Sequence, residues 1–290
     1  MKRSFLAHPV RVAGAVVLAF SCLLVQAQNQ PSMPLASSGP QQPATVASLH
    51  DSLLARATTL YASSTKSGLH SFACQVHPDW KKMMSSSRNG VPVAADDVRL
   101  ALLSRVNITV NTRLDSESTI DWQAPTDMAV DAAGHAMLDK AHRGIEQTLD
   151  GALKLWIPLV NGSVAESLGE EDLEIAQTAE GYTVRSKDKQ HSLAEDFDRE
   201  LLLKRFVIGD SGSTVDIAPT FRPTGQGLLL SSFVARVQAA GATTLNAQEM
   251  HISLEYQTVS GAQIPARVDV VLPNVVEMDF LLDGCSVNLK

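Results

Sequence analysis

Residues 209–213, Gly-Asp-Ser-Gly-Ser, differ only at the last position from the nucleophile motif of trypsin-like serine proteases. A serine nucleophile of that type needs an upstream histidine base in an Ala-Ala-His-Cys setting and a buried aspartate. The nearest match, AAGHA at residues 132–136, has an inserted glycine, lacks the cysteine and falls on a predicted helix. Because glycine, aspartate and serine reverse a chain at low steric cost, we expect a hairpin turn here, with Ser211 at its tip.

Carboxylates cluster at residues 170–172, Glu-Glu-Asp, and at residues 195–198, Glu-Asp-Phe-Asp. Paired carboxylates can act as general acid and base, but short acidic runs in loops or at strand ends are typical of solvated turns. The sequence contains no G-x-S-x-G, P-loop, H-E-x-x-H or Cys-x-x-Cys motif. We therefore predict that the protein is not an enzyme and uses no cofactor, with an envelope hydrolase as the minor alternative.

Cys74 lies in the first predicted strand and Cys285 in the last. In an exported protein, such a pair is most simply a disulfide bond. The alternative is a metal site formed by His70, Cys74 and His77, but on a strand His77 faces the side opposite the other two. We predict a Cys74–Cys285 disulfide and no metal site.

Residues 1–27 have the pattern of a secretory signal peptide. Positive charges precede an apolar run at residues 12–25, and small residues favour cleavage after Ala27. The run is too short for a permanent membrane helix, and no later segment is long and apolar enough to be one. The prediction is export to the periplasm or the extracellular space; the minor alternative is lipid anchoring at Cys22.

Residues 28–45 are rich in proline, glutamine and serine and carry no charge, so we predict a disordered tether. Residues 46–290 contain no further linker and are predicted to form a single domain. Loss of the signal peptide would remove three positive charges and no negative charge, changing the net charge from −7 to −10. This acidic balance argues against nucleic acid as a partner.

Apolar residues at steps of three and four predict helices over residues 46–62 and 127–156. Thr126 or Asp127 is expected to cap the second helix, and Pro158 and Gly162 to end it. Elsewhere apolar and polar residues alternate, which predicts strands with one wet face. The predicted strands cover residues 69–76, 99–113, 117–123, 173–177, 181–186, 199–208, 213–218, 228–238, 249–257, 266–272 and 275–289.

These elements predict an α+β fold. A large curved antiparallel sheet, shaped as an open half-barrel, would pack on two or three helices. The alternative is a closed β-barrel with helices, because alternation does not show whether the first and last strands pair. Trp122 and Trp156 are candidates for lining a ligand site in the interior, although core packing is the common role of such residues.

The C-terminal third, residues 170–290, resembles the Lol-type lipoprotein carriers and their relatives among exported lipid-handling proteins. The resemblance lies in FRPTGQGLLLSSFVARV, at residues 221–237, and EMHISLEYQTVSGAQIPARVDVVLP, at residues 249–273. It implies an open curved sheet around helices and an apolar cavity for acyl chains, with no catalytic residue. The cysteine pair, the segment at residues 78–98 and the acidic balance depart from that family.

The predicted function is therefore that of an exported, non-catalytic binding or carrier protein for an apolar small molecule, a lipid or an acyl chain. The alternative is an envelope scaffold or assembly factor whose exposed sheet edge binds a protein partner.

Overall fold

The computed structural model describes residues 46–62, 64, 66–87, 91–115, 118–126, 130–160, 174–187, 192–209, 212–239 and 248–290. The predicted signal peptide with Cys22 and Ala27, the predicted tether, Gly162, the acidic residues 170–172 and Ser211 lie outside these ranges.

The helices form in three separate parts of the chain. They are α1 (Val46–Leu60), α2 (Trp80–Ser86), α3 (Val98–Leu103), α4 (Ala132–Ile145) and α5 (Gly151–Val160), with a π-helical turn (Glu146–Asp150) that joins α4 to α5. Within the described residues, no helix is long and apolar enough to span a membrane.

The strands account for most of the described chain. They are β1 (Leu69–Pro78), β2 (Asn107–Arg113), β3 (Ser118–Gln123), β4 (Glu174–Gln177), β5 (Gly181–Lys187), β6 (Ser192–Asp198), β7 (Leu203–Gly209), β8 (Ser213–Thr224), β9 (Gly227–Ala239), β10 (Gln248–Val259), β11 (Ala262–Leu272) and β12 (Val276–Leu289).

These strands form one antiparallel sheet of 12 strands in the order β3-β2-β1-β12-β11-β10-β9-β8-β7-β6-β5-β4. Strands β4 to β12 follow one another along the chain, and β1 pairs with the last strand. The sheet is open, with β3 and β4 at its edges, so the closed arrangement of the alternative prediction is wrong.

Alternation along the strands places one face in the core, as β10 shows. Met250, Ile252 and Leu254 are buried, whereas His251 and Ser253 between them are exposed. The strand pairing on either side of Ser211 agrees with the hairpin predicted there. Strands β7 and β8 pair antiparallel up to Gly209 and Thr214, so the chain reverses between them.

The long helical segment starts later and ends later than predicted. The cap is Asp131, whose side chain accepts a hydrogen bond from the backbone N–H of Gly134 at 2.8 Å. Pro158 lies inside α5 and does not end it, although proline removes one backbone donor and crowds the carbonyl four residues before it. The helix continues to Val160, whose carbonyl accepts a hydrogen bond from the backbone N–H of Ser64 at 2.9 Å.

The strand predicted over residues 99–113 is correct only from Asn107 onward. Residues before it form α3, which Asp97 caps by accepting a hydrogen bond from the backbone N–H of Arg99 at 2.9 Å. Leu102 and Leu103 are both buried. A strand would send these neighbours to opposite faces, whereas two adjacent positions of a helix can both contact the core.

The acidic run at residues 195–198 is part of β6 and not a solvated turn. Glu195 and Phe197 are both buried on the inner face of this strand, and Asp196 accepts a hydrogen bond from the Thr183 hydroxyl at 2.8 Å. β6 was not predicted as a strand, because the buried Glu195 interrupts the alternation of apolar and polar residues by which a strand is recognised.

Candidate ligand-binding site

An apolar cavity of about 430 Å³ lies where α2 and α4 approach the ends of β10, β11 and β12. The sheet contributes Met250, Leu272 and Met278 to its lining, and α2 contributes Trp80. Cavities that hold small molecules usually have volumes of about 300–1,000 Å³ and a mostly apolar lining. The cavity therefore has the size and surface of a ligand-binding site.

Methionine dominates this surface. All five methionines that the structure describes line the cavity, namely Met83, Met84, Met137, Met250 and Met278. Methionine is unbranched and polarisable, so its side chain adapts to apolar groups of different shapes. A surface built in this way can accept a flexible chain without a rigid fit.

Helix α2 is attached to the sheet in the position that a continued β1 would occupy. After β1 ends at Pro78, the backbone N–H of Asp79 donates to the carbonyl of Asp279 at 2.9 Å. At the far end of α2, the Ser86 hydroxyl donates to the Glu277 carbonyl at 3.2 Å and accepts from the Glu277 N–H at 3.1 Å. These bonds use backbone groups of β12 that have no β1 residue opposite them.

Ion pairs also attach α2 to the sheet, through a residue that does not line the cavity. The Lys82 ammonium lies 3.6 Å from Asp269 and 3.8 Å from Glu277. Arg267 donates two hydrogen bonds to the buried carboxylate of Asp279. Burial, together with the charge of Asp279, raises the pKa of the Asp269 carboxyl above its ordinary value. The cluster holds α2 in place while Trp80 faces the cavity.

Aromatic contacts connect α2 with the other elements around the cavity. The ring of Trp80 packs edge-on against that of Trp122 on β3, with centroids 6.2 Å apart. Trp122 in turn stacks on His142 of α4 at 5.0 Å. Three elements that contribute to or support the lining are thus joined by one set of rings.

Helix α4 and the residues that follow it present small side chains to the cavity. Met137, Ala141 and Gly144 lie on the lining at steps of four and three residues, which share one face of α4, and Gly151 lines the cavity after the π-helical turn. A Cβ atom placed on Gly144 would meet no other heavy atom within 4 Å. Gly144 therefore leaves space beside the lining that a larger side chain would fill.

The few polar side chains of the lining are hydrogen-bond donors or can act as donors. Lys140 and Gln147 come from the helical wall, Gln248 comes from β10, and Ser87 and Thr148 add hydroxyl groups. Such groups orient a ligand that is otherwise held by apolar contact.

The two tryptophans predicted as ligand-binding residues lie outside this lining. Trp156 is fully buried, and its indole N–H donates to the Tyr256 hydroxyl at 3.0 Å. Its ring also packs edge-on against Phe72 at 6.0 Å. Trp122 supports Trp80, as described above. Direct contact of Trp122 or Trp156 with a ligand remains a prediction.

The cavity could not be located from the sequence. Met83 and Met84 stand in the segment between predicted strands, Met137 starts a helical stripe, and Met250 and Met278 lie on two strands. Only Met83 and Met84 are neighbours in the sequence. The convergence of the five methionines depends on α2 lying beside β12, which no local pattern indicates.

The Sγ atoms of Cys74 and Cys285 are 2.07 Å apart, a disulfide distance, as predicted. The bond joins neighbouring strands β1 and β12. Cys74 is buried. The Sγ atom of Cys285 accepts a hydrogen bond from the side-chain amide of Gln257 at 3.2 Å.

The metal alternative gains no support from the part of the chain that is described. No group of three histidine, cysteine, aspartate or glutamate side chains there could hold a metal ion. His77 instead lies 2.9 Å from the carboxylate of Asp283, on the exposed side of the sheet.

No family model, curated protein or solved structure matches this chain.

Proposed function

We propose that the protein is an exported, non-catalytic carrier or binding protein that holds a lipid or an acyl chain in the methionine-lined cavity. The observation that carries this proposal is the cavity itself, with its volume of about 430 Å³ and five methionines in its lining. In this proposal the open sheet acts as a curved half-barrel around the helices, which is the arrangement of the Lol-type carriers that the C-terminal third resembles.

An acyl chain suits the lining better than a compact polar ligand does. Burial of each CH₂ group contributes about 0.8 kcal/mol, and unbranched methionine side chains can follow a bent chain. Ala141, Gly144 and Gly151 have small or no side chains, so the helical side of the cavity leaves room for a ligand. A flexible apolar chain would therefore bind mainly through the hydrophobic effect.

The direct test is extraction of the purified protein with organic solvent, followed by mass spectrometry, together with titration by a fluorescent fatty acid. We expect a co-purified lipid or saturable uptake of the probe. The variant Gly144→Leu should weaken uptake, because its side chain would enter the space beside the lining. Absence of both lipid and uptake in the unaltered protein would refute the proposal.

Gly225→Leu is a matched control for this variant. A Cβ atom placed on Gly225 would likewise meet no other heavy atom within 4 Å, but Gly225 lies in the exposed turn between β8 and β9. Uptake by Gly225→Leu should equal that of the unaltered protein. An equal loss in both variants would show that a leucine acts through the fold and not through the cavity.

The second candidate function is the envelope scaffold. The open edges of the sheet, β3 and β4, favour it, because unpaired strand edges can add a strand from a partner. Cross-linking in cells separates the two proposals: a carrier would be linked to lipid or lipoprotein cargo, and a scaffold to one stable protein partner.

A further inference from the structure

Among the described residues that line the cavity, Lys140 is the one with a charged side chain. Lys140 of α4 lines the cavity and is also exposed to solvent, so it stands at the mouth. The other lining residues are apolar, small or uncharged. A lysine in this position can lay its apolar stem along the wall and keep its ammonium group at the water boundary.

We propose that the ligand is a single-chain amphiphile with an anionic headgroup, and that Lys140 binds this headgroup at the mouth of the cavity. This inference rests on the proposed function. The chain would occupy the methionine-lined interior, and the headgroup would stay at the surface.

Helix geometry supports this arrangement. Lys140 lies one turn after Met137 and one turn before Gly144, so all three are on the face of α4 that borders the cavity. The lysine therefore belongs to the same stripe as the groups that would contact the chain. It lies within reach of a headgroup whose tail is already inside.

Two amides of the lining provide further hydrogen-bond donors. Gln147 lies in the π-helical turn after α4, and Gln248 opens β10. An anionic oxygen prefers such donors, and hydrogen bonds to a charged group are roughly twice as strong as those between neutral groups. A cationic headgroup would meet the ammonium of Lys140 and be repelled.

Lys140 is a local positive charge in a protein whose net charge is negative. The sequence has a net charge of −7, so the summed charge of the protein repels anions. A cation placed on an apolar lining in an acidic protein distinguishes the cavity from its surroundings. The charge is thus complementary to an anionic amphiphile at this place.

The volume favours one chain over two. The cavity, at about 430 Å³, lies near the lower end of the range of about 300–1,000 Å³ for ligand sites. A fatty acid or a similar single-chain anion fits this range better than a lipid with two long chains.

The test compares three amphiphiles with the same chain and different headgroups: laurate, dodecanol and dodecylamine. Affinities are measured by displacement of a fluorescent probe at neutral pH, for the unaltered protein, Lys140→Gln and Lys81→Gln. Lys81 is the matched control, because it is an exposed lysine of α2 that does not line the cavity.

We expect the unaltered protein to bind laurate about threefold to tenfold more tightly than dodecanol, and dodecylamine most weakly. Lys140→Gln should remove this preference and leave dodecanol binding unchanged, whereas Lys81→Gln should keep the preference. Added salt should reduce the preference in the unaltered protein, because it screens exposed charges.

Equal binding of the three compounds, or a preference that survives in Lys140→Gln, would overturn the role of Lys140 and leave the proposed function standing. Failure of all three compounds to bind the unaltered protein would overturn both proposals. Loss of the preference in Lys81→Gln as well would assign it to net charge and not to the cavity mouth.

Discussion

Replacement of Tyr61 by phenylalanine should destabilise the fold more than the same change at either of the other two tyrosines of the chain. The Tyr61 hydroxyl donates to the carbonyl of Leu201 at 2.7 Å and accepts from the N–H of Leu203 at 2.7 Å. It thereby joins the end of α1 to the connection between β6 and β7. Burial raises the pKa of Tyr61 above its ordinary value, so the hydroxyl keeps its proton at neutral pH.

The size of the destabilisation follows from the two backbone groups that lose the Tyr61 hydroxyl as a partner. Phenylalanine keeps the shape of the ring but leaves one buried N–H and one buried carbonyl without this partner, and Leu201 and Leu203 are only 2% and 1% exposed. Each buried polar group that loses its partner costs about 1–3 kcal/mol. Because two such groups lose their partner, we expect Tyr61→Phe to lower the free energy of unfolding by about 2–6 kcal/mol.

Tyr256 and Tyr182 provide a graded comparison. The Tyr256 hydroxyl accepts one hydrogen bond, from the indole of Trp156, so Tyr256→Phe should cost about 1–2 kcal/mol. Tyr182 is half-buried, and its hydroxyl bonds to no residue in the part of the chain that the structure describes. Tyr182→Phe should change stability by less than about 0.5 kcal/mol.

The assay is equilibrium unfolding in guanidinium chloride, followed by tryptophan fluorescence, with all variants kept oxidised. An unchanged slope with a lower midpoint would show a change in stability and not in the unfolded state. Equal losses in the three variants, or a larger loss in Tyr182→Phe than in Tyr61→Phe, would refute the reasoning from buried hydrogen bonds.

Three further changes test other parts of the structure. Reduction of the Cys74–Cys285 bond, which joins residues 211 positions apart, should lower the free energy of unfolding by up to about 5 kcal/mol on the chain-entropy model; two thiols freely alkylated in native, unreduced protein would contradict the bond. Asp279→Asn should lower the denaturation midpoint, because the buried carboxylate that accepts two hydrogen bonds from Arg267 loses its charge and one acceptor oxygen; an unchanged midpoint would contradict the role of this pair. Gly144→Ala should stabilise by about 0.5–1 kcal/mol, since alanine favours a helix interior and meets open space; a lower melting temperature would show that the space is not open.

The strand content of the fold could be predicted because its signal is local. Alternation in β10 identifies the buried Met250 and Ile252 directly, and the turn residues before Thr214 identify the hairpin of β7 and β8. The cysteine pair could be predicted from its number and setting. Each of these signals lies within a few residues or depends on a single chemical type.

The errors arise where tertiary contacts override local pattern. Leu100 and Leu102 match a strand by spacing, but the Asp97 cap and the burial of Leu103 belong to a helix. In β6, the charged Glu195 occupies a buried position at which the alternation rule expects an apolar residue. The candidate site was missed for the same reason, because its methionines converge only through the placement of α2 beside β12.

The pairing of β1 with β12 has a consequence for the order in which the fold can form. Strands β4 to β12 can pair with their neighbours as the chain emerges, whereas β1, β2 and β3 join the sheet only through the last strand. Such distant pairings are slow to form, and an unpaired strand edge is prone to aggregation until then. The N-terminal strands can therefore join the sheet only once β12 is present, and a chain interrupted before β12 would leave β1, β2 and β3 as a separate three-stranded unit.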